Sequence, residues 1–107
     1  MPRYRKYVTV TVNPGSEQLV SGLISTQAEP KRVFAVVPEL SGNNIDLLVY
    51  VEREKIIDYP VDLLNSQERI VEVVIDLPVG QQLYVGYRNK GTTAVSGDIG
   101  IIYEIGR

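Results

Sequence analysis

Cysteine, histidine and tryptophan are absent from this 107-residue chain, and methionine and phenylalanine occur once each. Without cysteine there is no disulfide and no thiolate chemistry, and the redox compartment is left open. Without histidine the chain lacks the commonest general base near neutral pH and the commonest transition-metal ligand. Long apolar runs are missing too. The opening MPRYRKYVTVTVNPG alternates polar with apolar residues, unlike a secretory leader. No stretch approaches the roughly 20 apolar residues of a membrane helix. Starting at its own Met1, the chain is expected to be made in the cytoplasm and to have no membrane partner. A 3.6-residue hydrophobic period is also absent, which leaves little room for amphipathic helices.

What is present is an ordinary globular balance, 44% hydrophobic and 22% charged, so the chain is expected to fold rather than stay disordered. Its length corresponds to one domain, residues 1–107, burying roughly two-thirds of its unfolded surface. The formal charge of −2 argues against a dedicated nucleic-acid binder, which is usually basic. Arg3, Arg5 and Lys6 form a local exception, read as a short basic N-terminal arm over about residues 1–7.

Period-two alternation dominates. Val8, Val10 and Val12 share one face, with Tyr7, Thr9 and Thr11 on the other, until Asn13-Pro14-Gly15-Ser16 turns the chain. Residues 17–26 form a second strand, whose Gly22 marks a bulge or a close approach. The stretch 32–37 is nearly all apolar, as in a strand covered on both faces. Residues 45–52 and 55–59 follow, then an ambiguous 61–65 that is either a helical turn or a crossing loop. Residues 68–77 place Val71, Val73, Ile75 and Leu77 inward, and 81–89 and 95–105 complete the set. Seven or eight strands at this spacing predict an all-β, single-domain antiparallel β-sandwich, jelly-roll-like.

The nominally outward positions carry Phe34, Val36, Leu48, Tyr50, Val74, Tyr84 and Ile102. Such a set, if clustered, exceeds what monomers tend to expose and predicts a partner surface; a one-residue slip in register would instead swap the faces.

The candidate chemical sites are weak by comparison. Glu52, Glu54, Asp58 and Asp62 can be assembled into carboxylate pairs of the kind used on glycosides, but they lie where edge charges discourage stray strand pairing. The turn at Asn43-Asn44-Ile45-Asp46 offers oxygens to a hard cation, yet these are also ordinary turn residues. Gly86, Gly91 and Gly97 lack the strand–loop–helix setting of a phosphate loop. Residues 89–93, Asn-Lys-Gly-Thr-Thr, read as a hairpin connection. No catalytic set, cofactor or metal site is therefore predicted. Seven tyrosines beside one phenylalanine make tyrosine the best recognition candidate, against proteins or sugars.

Three stretches, "EPKRVFAVVPEL" (29–40), "NIDLLVYVEREKIIDYPVDLL" (44–64) and "LPVGQQLYVGYRNKGTTAVSGDIGIIYEI" (77–105), resemble the small β-sandwich decoration or cement proteins of tailed-phage virions. The resemblance implies a non-enzymatic structural protein that binds capsid or like subunits as a homo-oligomer and resides in the virion. A second resemblance, carried by 45–49 and 78–85, is to jelly-roll domains appended to secreted peptidases and carbohydrate enzymes; it implies a carbohydrate- or ligand-binding module. For the interface the expected contributors are Arg3, Arg5, Lys6, Tyr50, Tyr84, Tyr87 and Arg88, since Tyr and Arg dominate interface centres.

Overall fold

The computed structural model describes residues 2–40, 44–63 and 70–106. Eight strands form: β1 (Tyr4–Val12), β2 (Glu17–Ile24), β3 (Lys31–Pro38), β4 (Ile45–Val51), β5 (Glu54–Pro60), β6 (Val71–Leu77), β7 (Gln82–Asn89) and β8 (Val95–Ile105). One 3-10 turn, Val61–Leu63, follows β5, which resolves the first part of the ambiguous 61–65; residues 64–65 lie outside the described ones. The β4–β5 link is tight, and Glu52 supplies its left-handed residue at φ 53°.

The strands make two four-stranded sheets, ordered β1-β8-β3-β6 and β2-β7-β4-β5. Strands 1 and 8, 2 and 7, 3 and 6, and 4 and 5 each pair antiparallel. This is the arrangement of a long ribbon of four strand pairs rolled up so that β3 meets β8 and β4 meets β7. The result is the expected antiparallel sandwich with a jelly-roll-like order.

The core lies between the sheets. Val10, Val12, Val33, Val36, Ile99 and Ile101 of the first sheet meet Leu47, Val49, Leu83, Val85 and Tyr87 of the second. Each fully buried side chain of this size contributes about 1.5–3 kcal/mol by leaving water. Gly22 lies at a register shift between Ser21 and Leu23, the bulge anticipated there.

Three expectations change. Val36 is wholly buried, because between Val33 and Ala35 β3 carries one residue more than β8, while against β6 the extra residue lies on β6. One extra residue reverses the alternation, so Val33 and Val36 both face the core. The basic N-terminus is not a free arm from residue 4 onward: Tyr4 pairs with Tyr103 and Arg5 with Ile102. The 11-residue β8 is long enough to keep β1 laddered to its first residue. Finally, β7 and β8 belong to different sheets, so residues 90–94 cross between layers instead of closing a hairpin.

Asn89 makes that crossing. It is buried, and its Nδ2 donates to the carbonyls of Val12 at 3.2 Å and Thr93 at 2.8 Å, while its Oδ1 accepts from the Gly91 amide at 2.9 Å. The side chain thereby bonds backbone groups at the end of β1 and within the crossing segment.

Candidate interaction surface

The register of the first sheet builds its outer face row by row. Arg3 stands beside Glu104, which pairs across to Arg32, which pairs to Asp76. One row along, Arg5 is opposite Ile102, Ile102 opposite Ala35, and Ala35 opposite Glu72. Phe34, pushed out by the bulge, sits between these rows, and the Arg3 guanidinium lies 4.1 Å over its ring. Farther on, the Tyr7 ring covers Gly100, where an added Cβ would meet ring carbon at 3.1 Å.

The centre of this face is apolar. Phe34, Ala35, Ile70, Val74 and Ile102, with Arg3 and Glu72, line a shallow depression of about 360 Å³. Val74 is 67% exposed and Ile70 39%. Of the seven nominally outward residues, Phe34, Val74 and Ile102 share this face, rimmed by charge; Tyr50 and Tyr84 lie on the other sheet, and Leu48, like Val36, is wholly buried.

The outer face of the second sheet has a different character. Arg88 on β7 donates through Nε to Glu17 of β2 at 2.8 Å, and through Nη1 to Asp46 of β4 at 2.8 Å. Its two Nη groups also grip Asp58 of β5 bidentately, at 2.8 and 2.9 Å. One side chain therefore ties all four strands of the sheet. Lys55 pairs with Asp58 at 3.0 Å and Lys90 with Asp46 at 3.4 Å, so three cations balance three carboxylates. The hydrogen bonds from Arg88 hold the Asp58 carboxyl down at about 2, with Lys55 adding to the effect and partial burial opposing it. Reciprocally, Asp58 first, then Glu17 and Asp46, raise the Arg88 pKa, and the hydrogen bond to Asp58 raises that of Lys55.

The expected interface residues separate accordingly. Arg3, Arg5 and Lys6 are exposed on β1 or just before it. Tyr50 and Tyr84 are half-buried and directly opposite one another on the second sheet. Tyr87 is a correction: it is wholly buried, and its hydroxyl donates to the Asp98 carbonyl at 3.1 Å, bridging the two sheets. It faces the core because β7 alternates with Leu83 and Val85 inward. Arg88 is a second correction, since its guanidinium is committed to three carboxylates of its own sheet and has no free fork for a partner.

Asp58 is more than a solvated edge charge, and Asp46, a candidate oxygen ligand in a turn, is instead buried and held by Arg88 and Lys90. Asn43 of that turn lies outside the described residues. Glu52 accepts from the Gln82 amide at 2.6 Å, a role its sequence position did not disclose. Sequence reasoning also missed Glu72 and Ile70, whose significance depends on β6 lying across the sheet from β1.

Comparison with known proteins adds no family. No protein-family model matches the chain, and no curated protein does. Among solved structures, the nucleoplasmin-like N-terminal domain of Drosophila FKBP39 aligns with 96% of this chain and 93% of its own, at 14% identity and a TM-score of 0.43. A structure of infectious bursal disease virus, Gx strain, aligns with 98% of this chain at 9% identity and a TM-score of 0.34, and the chain spans 32% of that one.

Proposed function

We propose that this chain is a non-enzymatic structural protein that works by association, with the outer face of its first sheet as the contact surface. The observation that carries the reading is the apolar centre at Phe34, Ile70, Val74 and Ile102, exposed at Ile70 and Val74 and half-buried at the other two, within a charged rim. Contact surfaces combine an apolar centre with a polar rim in this way. The carboxylates that would have served an acid–base pair, Asp58 and Glu52, are occupied in holding strands together, which supports a structural role. At a finer level, the reading is of a capsid-stabilising decoration component of a virion, supported by one rigid sandwich with an adhesive face.

Solution mass by light scattering, measured across concentration for the wild type and Val74→Glu, tests the association. The expected result is self-association that Val74→Glu abolishes while the far-UV spectrum is unchanged. An unaltered mass for the variant would refute this face as the contact. The virion assignment is checked by mass spectrometry of density-purified particles from the source; absence of the chain from them sinks it.

A second reading, a carbohydrate-binding module, is favoured by Tyr50 and Tyr84 standing side by side on the other sheet. It requires that glycan retention fall on Tyr84→Ala.

A further inference from the structure

We propose that the partner of this face is a second copy of the same chain, related by a two-fold axis that lies between the two faces and runs parallel to their strands. The inference rests on the association reading above and adds the partner and its symmetry.

The charge pattern carries it. Read across the sheet from β1 to β6, the first row is Arg3, Glu104, Arg32, Asp76, alternating plus, minus, plus, minus. The second row is Arg5, Ile102, Ala35, Glu72, positive at one end, apolar in the middle and negative at the other. Both rows change sign when reversed end for end.

A two-fold axis along the strands performs that reversal. It lays β1 of one copy over β6 of the other and keeps each row opposite itself. Arg3 then faces Asp76 of the second copy, Glu104 faces Arg32, Ile102 faces Ala35, and Arg5 faces Glu72, each contact occurring twice. An isologous interface requires a surface that is complementary to itself under such an operation, and these two rows meet the requirement.

Arg5 and Glu72 are the diagnostic pair. Neither has an ion-pair partner among the described residues; Arg5 donates only to the Tyr7 hydroxyl, at 2.9 Å. They are three strand spacings apart, about 14 Å, too far to meet within one chain. Face-to-face sheets stack about 10 Å apart, within reach of an arginine and a glutamate extended toward each other.

The face is about 19 Å wide, and the two rows with the apolar centre run about 20 Å along the strands. That is a flat area of roughly 400 Å², below the roughly 800 Å² per partner of a standard interface. The dimer is accordingly expected to be weak, and the experiment belongs at tens to hundreds of micromolar protein.

The test uses complementary charge reversals. Arg5→Glu alone brings two carboxylates together at each of the two symmetric contacts, and Glu72→Arg alone brings two guanidinium groups together there. Each variant should weaken dimerisation at least about tenfold, since like-charge juxtaposition is strongly disfavoured at interfaces. In an equal mixture, a mixed dimer has one carboxylate and one guanidinium at both contacts: the reversed residues of the two variants face each other as an opposite pair, and the two unreversed residues do the same at the other contact. Sedimentation equilibrium should therefore show the mixture returning to a dimer of wild-type strength, a recovery no misfolded variant could give.

If Val74→Glu dissociates the wild type but the mixture does not recover, the two-fold arrangement is wrong and the contact face stands. Recovery to species larger than a dimer overturns the two-fold axis in favour of head-to-tail association. A wild type that stays monomeric at about a millimolar, far above the weak affinity expected of so small a face, overturns both this proposal and the reading beneath it.

Discussion

Asp58→Asn removes one carboxylate from the charge network on the second sheet while keeping its shape. With its carboxyl held at about 2 in the folded state against about 3.9 in an unfolded chain, the difference corresponds to roughly 2.5 kcal/mol at neutral pH. Asp58 is 27% exposed, and solvent screening brings the expected loss down to about 1–2 kcal/mol. The sign follows from the depressed folded pKa. The stabilisation is complete above the unfolded value near 4 and disappears as pH falls through about 2. At pH 3 roughly half of it remains, by the same linkage relation. Urea unfolding of wild type and variant at pH 7 and pH 3 measures this, because an m-value of about 1–2 kcal/mol/M turns the loss into a midpoint shift of about 1 M. The gap should close to about half at pH 3. A variant as stable as wild type at pH 7, or a gap unchanged at pH 3, would refute the claim that the Arg88–Asp58 pair stabilises the sheet.

Three further outcomes are expected. Tyr87→Phe loses the hydroxyl that spans the sheets and should cost about 1 kcal/mol in chemical denaturation, with no effect on association because the residue is buried. Asn89→Ala strands the buried carbonyl of Val12 and the crossing loop, so its melting temperature should fall by the equivalent of about 2–3 kcal/mol; a drop no larger than a surface substitution would contradict the role assigned to it. Gly86→Ala would drive a Cβ into the Gln18 carbonyl, forcing β2 away. A loss of about 2–4 kcal/mol, with increased hydrogen exchange confined first to β2, is the expected signature.

Several elements could be read in the sequence because their physics is local. The alternation of Val8, Val10 and Val12, or of Val71, Val73, Ile75 and Leu77, places a core face whatever the strand order. Gly22 announced the irregularity in β2 because a missing side chain in a strand has few other uses. The misreadings have a common cause. A single bulge at Phe34 moved Val36 from the outer face to the core. The Asn-Lys-Gly stretch carries turn chemistry that suits a hairpin and an inter-sheet crossing equally well. Tyr87 and Arg88, adjacent in sequence, are both expected at the interface, but neighbours in a strand point to opposite faces. One entered the core and the other a network with residues 30 to 71 positions away.

The sequence alone determined that the chain is all-β, that it has neither histidine nor cysteine to offer a catalytic or metal site, and that apolar side chains also fall at nominally outward strand positions. Those properties depend on composition and on period-two spacing, which each strand carries by itself. Only the tertiary structure decided which outward residues share a face. Pairing β1 with β8, β8 with β3 and β3 with β6 brings Arg5, Ile102, Ala35 and Glu72 into one row, although they are up to 97 residues apart in the chain. Cross-strand register is a long-range property, fixed by bulges and by the rolling of the whole ribbon, and the surface pattern exists only once that register is set.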